Sequence, residues 1–268
     1  MNTKAAAEFV EQRGDAAERA RLRYILAGEP ATADAIRQAL AGQRADGGWQ
    51  PAWAPDYSSL EATCQRLARA EQLGLGTGEP ALMRGLLCLA QRQQGDGAWE
   101  EEPEVDSMAP AWDKPGNREA RLYLTANCGH WLARASRPEA GTLRESAVRA
   151  ARYLNTYLDS RGRLPSFLPA HWLAAGMWQC LDQRGPADSI YAFLEGRVPE
   201  MTASSLAWLI TTVRGVGLAA NHGLVLSAAM RLVGLQTGDG RWPSDDGPNG
   251  DVSNTLDALY ALKLAGSI

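Results

Sequence analysis

The sequence predicts an all-α chain in which two kinds of helix alternate. Three observations predict it. Apolar residues recur at intervals of three and four within segments broken by Gly and Pro, Ala, Leu, Arg, Glu and Gln dominate, and alternating strand patterns are missing. A seven-residue pattern, Gln-x-x-Asp-Gly-x-Trp, occurs three times, at Gln43 to Trp49, Gln93 to Trp99 and Gln236 to Trp242. The segments that follow resemble one another: SSLEATCQRLARAEQLG at 58–74, TANCGHWLARAS at 125–136 and SNTLDALYALKLAG at 253–266. The repeated unit therefore holds an amphipathic helix, a turn, an irregular stretch and a second helix that is apolar on most sides.

Taken in order, these signals predict helices over 3–13 and 15–27, stopped by Gly14 and Gly28, and over 31–44, which runs into the first copy of the pattern. They continue over 58–74, 80–93, 118–136, 141–158, 166–183 and 187–195. The last three are 202–217, 222–237 and 251–266. In each copy the Gln ends a helix, Asp-Gly supplies a turn whose Gly can take positive φ, and the Trp can lie back over the helix end. Two further units are faded: 161–181 and 195–215 keep a Gly and the following apolar helix but lose the Gln and the Trp. Helices with two faces to bury, alternating with amphipathic ones, pack most simply as an inner ring wrapped by an outer ring, so an α/α toroid forming one domain over residues 1–268 is expected.

Composition bounds the function. The chain has 268 residues, 45% of them hydrophobic, and a net charge of −4. No Lys/Arg run exists to neutralise phosphates, so nucleic acid is not expected as a partner. The four cysteines, Cys64, Cys88, Cys128 and Cys180, show no CxxC spacing and indicate neither a zinc ribbon nor a disulfide framework. The N-terminal stretch spreads its charges and has no uninterrupted apolar run, which predicts no signal peptide, no membrane span and a cytoplasmic protein. No Gly-rich phosphate cradle is present, and no cofactor or metal is expected.

The Gln-x-x-Asp-Gly-x-Trp copies resemble the QW motif of the squalene-hopene cyclase, oxidosqualene cyclase and protein prenyltransferase β-subunit superfamily, and GDVSNTLDALYALKLAG at 250–266 resembles the inner-helix segment that follows it. The resemblance covers the chain from about Gln43 onward and implies an (α/α)6 barrel in which the motifs tie outer helices together. Full triterpene cyclases pair two such barrels, whereas this length suffices for one, which leaves room for a homodimer or a partner domain. The acid-initiated members resemble one another in an Asp-x-Asp-Asp motif that is absent here; the nearest acidic cluster, Ser244-Asp245-Asp246-Gly247, falls in a turn. Where prenyltransferases carry a zinc-binding His, Asp251-Val-Ser-Asn254-Thr255 places Asn, a poor zinc ligand.

Candidate site residues follow from spacing. Glu119, Tyr123, Asn127, His130 and Arg134 share one helical face. His130 and His171 sit in near-identical contexts, Gly-His-Trp-Leu-Ala and Ala-His-Trp-Leu-Ala, and are a candidate acid and base pair; His222 is expected beside a helix cap. Glu61 and Asp257 are acids on apolar helices, where burial raises a carboxyl toward a proton-donating role. Trp131, Trp172, Trp178 and Trp208 offer ring faces to a cationic intermediate, although a Trp on an apolar helix is more often core packing than a cation box. The irregular connections 50–57 and 100–117 bring Trp53, Asp56, Asp106, Trp112 and Asp113 to one rim. Three functions compete: a terpene-cyclase-like enzyme that cyclises or isomerises a lipophilic isoprenoid or polyene by proton transfer, a non-catalytic barrel for a hydrophobic ligand or partner, and a carbohydrate-active α/α toroid.

Overall fold

A computed structural model describes residues 1–136 and 141–268. Among them the chain is all-helical: α1 Thr3–Arg13, α2 Ala16–Ala27, α3 Ala33–Ala39, α4 Leu60–Glu71, α5 Pro80–Gln91, α6 Arg118–Ala135, α7 Gly141–Asn155, α8 Leu168–Cys180, α9 Arg184–Glu195, α10 Ala203–Gly215, α11 Gly223–Gly234 and α12 Asp251–Leu264. Each expected helix is found. The third is shorter than the expected 31–44, because the Leu40 carbonyl that would continue it accepts the Trp49 indole N–H at 3.2 Å. Local sequence sets most starts: Asp15 and Glu18 form a reciprocal capping box on α2, Asn117 caps α6, Thr202 caps α10, and Pro opens α5 and α8.

The helices gather into two compact units. One comprises Met1–Ala39, Glu71–Gly74 and Leu194–Ile268; the other comprises Leu40–Ala70 and Leu75–Phe193. In the first, α12 packs against α10, α2 and α1, and α10 packs against α11. The second centres on α6, which packs against α5, α7 and α8. Close approach there depends on Gly129: a Cβ would stand 2.5 Å from the Met177 sulfur of α8 and 3.1 Å from the Ala150 Cβ of α7. Almost every residue of α6 from Ala120 to Ala133 is buried, polar ones included.

The repeated pattern proves to be a three-way tie. The Gln93 amide donates to the Gly97 carbonyl inside its own turn and to the Ser146 carbonyl of α7, each at 2.8 Å. The Trp99 indole N–H returns to Leu89 O at the end of α5 at 2.7 Å, and its backbone N–H donates to Thr125 Oγ1 of α6 at 3.0 Å. The first copy repeats this with Gln43, Ala81, Leu40, Trp49 and Thr63. In the third, Gln236 bonds Asn2 in both directions, Trp242 reaches Leu232 and Thr255, and the chain's first helix is thereby tied to its last turn. Gly97 has φ +93°, and a Cβ there would stand 2.8 Å from Arg149 O, so the turn needs glycine both for its conformation and for the approach.

The faded unit at 161–181 retains the turn without its two signature residues. Gly162, φ +73°, lies against the Ser189 carbonyl as its counterparts lie against theirs, and Asp159 closes the loop by accepting the Arg161 and Arg163 N–H groups. His171 Nε2 takes the role of the Thr hydroxyl, accepting the Leu164 N–H at 3.0 Å. At 195–215 a single 3₁₀ turn, Val198–Glu200, leads into α10 instead.

Candidate active site

The second unit places three carboxyls in its interior. Glu61, Glu101 and Asp113 are 6%, 2% and 0% exposed, a burial that requires each to have a partner or to hold a proton. Glu61 stands one residue into α4 and faces α6, where Tyr123 Oη and Asn127 Nδ2 donate to its Oε2 at 2.7 and 2.8 Å. Gln65, one turn further along α4, donates to Oε1 at 2.9 Å. Burial pushes the Glu61 carboxyl up, these three bonds oppose the rise, and the Glu101 charge adds to it.

Glu101 is held differently. Its Oε1 accepts the Leu60 N–H, a first-turn donor of α4, at 2.7 Å, and its Oε2 accepts Tyr57 Oη–H at 2.8 Å and Arg92 Nη2 at 2.9 Å. Tyr57 Oη also accepts the Glu102 N–H at 3.0 Å, so the connections 50–57 and 100–117 are fastened to each other. The fastening brings Trp53 of the first to Asp113 of the second.

By hydrogen-bond geometry neither Asp113 carboxyl oxygen has a partner, although the Trp53 indole lies near enough to favour its charged form. Burial first, then the charges of Glu61 and Glu101, push it up to about 9, with the nearby Trp53 indole opposing the shift. A carboxylic acid in this setting carries its proton at neutral pH and can donate it. The next residue back, Trp112, is 49% exposed, so one loop turns one side chain outward and the next one in.

His130 lies one turn beyond Asn127 on the same buried face of α6. Its Nδ1 is buried and has no partner, and burial together with the Arg134 charge brings the ring down to about 3, so it is neutral imidazole at pH 7. Cys64 of α4 and Cys128 of α6 are buried side by side; burial and the neighbouring thiol push Cys64 well up, which leaves it an unreactive thiol. Tyr123 meets the Phe167 ring edge-on with centroids 6.2 Å apart. Among the described residues no group of three His, Cys, Asp or Glu side chains is placed to hold a metal ion.

The remaining sequence candidates lie elsewhere. His171 is occupied by the faded clamp, and His222 is itself the cap of α11, its Nδ1 accepting the Leu224 N–H at 3.2 Å. Asp257 belongs to the other unit, where it pairs with the buried Arg21 at 3.0 Å and accepts Gln72 Nε2 at 2.7 Å. Trp172 and Trp178 are in the core of α8, Trp208 is half-buried on α10, and Trp131 is half-buried under the Arg134 guanidinium. Glu119 and Asp56 are exposed, and Asp106 pairs with Lys114 at 3.1 Å. Asp245 accepts the Thr202 hydroxyl at 2.7 Å, and the Asn254 amide donates to the Trp242 and Pro243 carbonyls, both structural uses. Glu101 escaped sequence reasoning because it sits in an acidic run, Glu100 to Glu104, that reads as solvated surface.

No family model and no curated protein matches this chain. Solved structures do. A protein from Actinoplanes superposes with a TM-score of 0.60 at 20% identity, over 94% of this chain and 90% of that one. An Arg-to-Ala variant of type II terpene cyclase MstE from Scytonema, in complex with geranylgeranyl dihydroxybenzoate (substrate), superposes with 0.59 at 16% identity over 94% and 87%. An Asp-to-Ala variant of the same enzyme in complex with merosterolic acid A (product) gives 0.60 at 16% identity over 95% and 88%. The fold is terpene-cyclase-like. At these identities the likeness is one of fold. No helix among the described residues is long and apolar enough to cross a membrane.

Proposed function

We propose that this chain is a terpene-cyclase-like enzyme, a single α/α toroid of the QW-motif squalene-hopene cyclase and prenyltransferase superfamily, that cyclises or isomerises a lipophilic isoprenoid or polyene by proton transfer. One observation carries the reading: the Asp113 carboxyl is fully buried, protonated at neutral pH and without a hydrogen-bond partner, so its proton is committed to no protein group. In the proposed step the Asp113 O–H bond breaks as a terminal alkene carbon takes the proton with its π pair, leaving a carboxylate and a tertiary carbocation. Ring closure or a shift relocates the cation. Loss of a proton from the adjacent carbon to the lone pair of neutral His130 ends the sequence, and the product has the substrate's mass. A base with a pKa of about 3 suffices, because a carbocation is a far stronger acid. The rings of Tyr123, Phe167 and Trp53 supply negative potential along the path of the cation, and Tyr123 is oriented by its hydrogen bond to Glu61.

The test is mass-resolved product analysis after incubation with farnesol, geranylgeraniol, squalene and a host extract. A new product of unchanged mass, lost in Asp113→Asn and diminished at least tenfold in His130→Ala, supports the reading. Turnover that survives Asp113→Asn sinks it. A retained lipid without any product favours the ligand-binding barrel.

A further inference from the structure

We propose that the faded clamp at 161–171 serves the candidate site: Phe167 is an aromatic wall that sets how a substrate lies against Tyr123, and His171 is the positioning residue that holds it there. What the wall does rests on the cyclase reading; how it is held is a matter of geometry. Three contacts fasten the turn. Gly162 lies against the Ser189 carbonyl of α9, the Leu164 N–H donates to His171 Nε2 at 3.0 Å, and the Ser166 hydroxyl donates to the Glu119 carbonyl at the start of α6 at 2.6 Å. Phe167 comes next, and its half-buried ring meets Tyr123 edge-on, with 6.2 Å between centroids and 80° between planes. Tyr123 Oη in turn donates to Glu61 at 2.7 Å, so a continuous series of contacts runs from His171 to the Glu61 carboxyl.

Histidine here does both jobs of the threonine hydroxyl in the full clamps. Thr63 Oγ1 accepts the Trp49 N–H at 3.1 Å and donates to the Ser59 carbonyl, four residues back, at 2.7 Å; Thr125 does the same with Trp99 and Arg121. His171 Nε2 accepts the Leu164 N–H, and its Nδ1 stands 3.3 Å from the Phe167 carbonyl, also four residues back, and 3.2 Å from that of Leu168. A backbone amide can only donate, so Nε2 keeps its lone pair and the ring proton sits on Nδ1, facing those two carbonyls. The Phe193 ring of α9 packs against the imidazole with centroids 4.9 Å apart and planes 32° from parallel. Donor and acceptor are seven residues apart here, against 14, 26 and 13 in the full clamps, so the connection is short and delivers its aromatic residue to the helix start. Phe167 also occupies the N-cap of α8, where its side chain makes no capping bond. Ser, Thr, Asp or Asn is the favoured choice at that place, and a locally disfavoured residue is expected where function requires it.

The test begins without substrate, by NMR on full-length protein labelled with ¹⁵N in the histidine rings and ¹³C in the Phe and Tyr rings. With three His, three Phe and seven Tyr, single substitutions assign the signals. The expected result is the Nδ1–H tautomer at His171 and an NOE between the Phe167 and Tyr123 rings; an Nε2–H tautomer, or absence of that NOE, overturns the proposal. His171→Met fills the space without a matching acceptor and should weaken the NOE about threefold or more. His171→Gln, whose Oε1 can take the Leu164 N–H, should restore most of it. A folded His171→Met protein with an NOE of wild-type strength overturns the positioning role; should that variant not fold, the wild-type tautomer and ring contact decide. With a substrate that turns over, Phe167→Ala and His171→Met should shift the product ratio, or raise KM, by about threefold or more in the same direction. An unchanged product ratio and KM in Phe167→Ala overturns the wall. The ring contact needs no substrate, so it can fail while the cyclase reading stands, and loss of the cyclase reading leaves it intact.

Discussion

Asp113 and His130 are buried ionisable groups of opposite kind, and their linkage to stability has opposite signs. The Asp113 carboxyl is raised from an ordinary value of about 3.9 to about 9. Between those values the unfolded chain has released the proton that the folded chain keeps, so stability falls as pH rises from about 4 to about 9. Asp113→Asn removes that slope, and the expected result is that urea unfolding at pH 5 and pH 8 differs less for the variant than for the wild type. His130 is lowered to about 3, so below about 6.5 the unfolded chain binds a proton that the folded chain refuses. Stability there falls with falling pH, and His130→Gln should flatten the acid limb between about 6.5 and 3. Helical spacing in the sequence picks out Tyr123, Asn127 and His130 on one helix, Glu61 stands out as an acid on another apolar helix, and the structure brings Tyr123 and Asn127 of α6 onto Glu61 of α4. Asp113 was visible only as one of several polar loop residues, since no periodicity governs a connection. Glu101 was hidden by the acidic run around it, because burial of one carboxylate among four exposed or half-exposed neighbours leaves no local signature.

At the scale of elements, the clamp turn is the unit that repeats, and its glycine is the part that cannot be exchanged. Gly97→Ala and Gly162→Ala each force a β-carbon to positive φ and against a carbonyl, 2.8 and 2.2 Å away respectively. Each should cost about 1–3 kcal/mol in denaturant unfolding. Gly95→Ala, two residues from Gly97 and with nothing within 4 Å, should change stability by no more than about 0.5 kcal/mol. A cost at Gly162 like that at Gly97 would show the faded turn to be energetically whole. The acceptor position of the clamp is a second element-level test: Thr125→Val deprives the buried Trp99 N–H of its partner and should cost about 1–3 kcal/mol. Thr63, Thr125 and Thr255 stand at matching places in the three similar segments, so this position was present in the sequence for the reading. What hid it was that a Thr on an apolar helix looks like packing until its partner, in a turn up to 26 residues away, is known.

At the scale of the molecule, the first and last parts of the chain support each other. Asn2 and Gln236 exchange hydrogen bonds, Gly240 lies against Ala5 and Ala6, and α1 packs on α12 with Phe9 and Val10 buried. Deleting residues 1–14 should therefore lower the thermal midpoint markedly, at a cost of about 1.5–3 kcal/mol for each of Phe9 and Val10 before the lost clamp bonds are counted. An unchanged midpoint would mean that α1 is an appendage. The sequence alone determined that the chain is helical, where nearly every helix lies and that one turn recurs, because helix periodicity, glycine stops and an i to i+6 motif are local properties that survive without a partner. It also determined that no Asp-x-Asp-Asp acid and no zinc-binding His stand at their expected places. Only the tertiary structure decided which acids share an interior, that Asp257 spends its charge on Arg21 while His171 serves a turn, and that Asp113 is left with a proton and no partner. The physical reason is that a carboxyl's chemistry is set by burial and by neighbours from other segments, Glu61 and Glu101 here, and neither is written in the residues beside it.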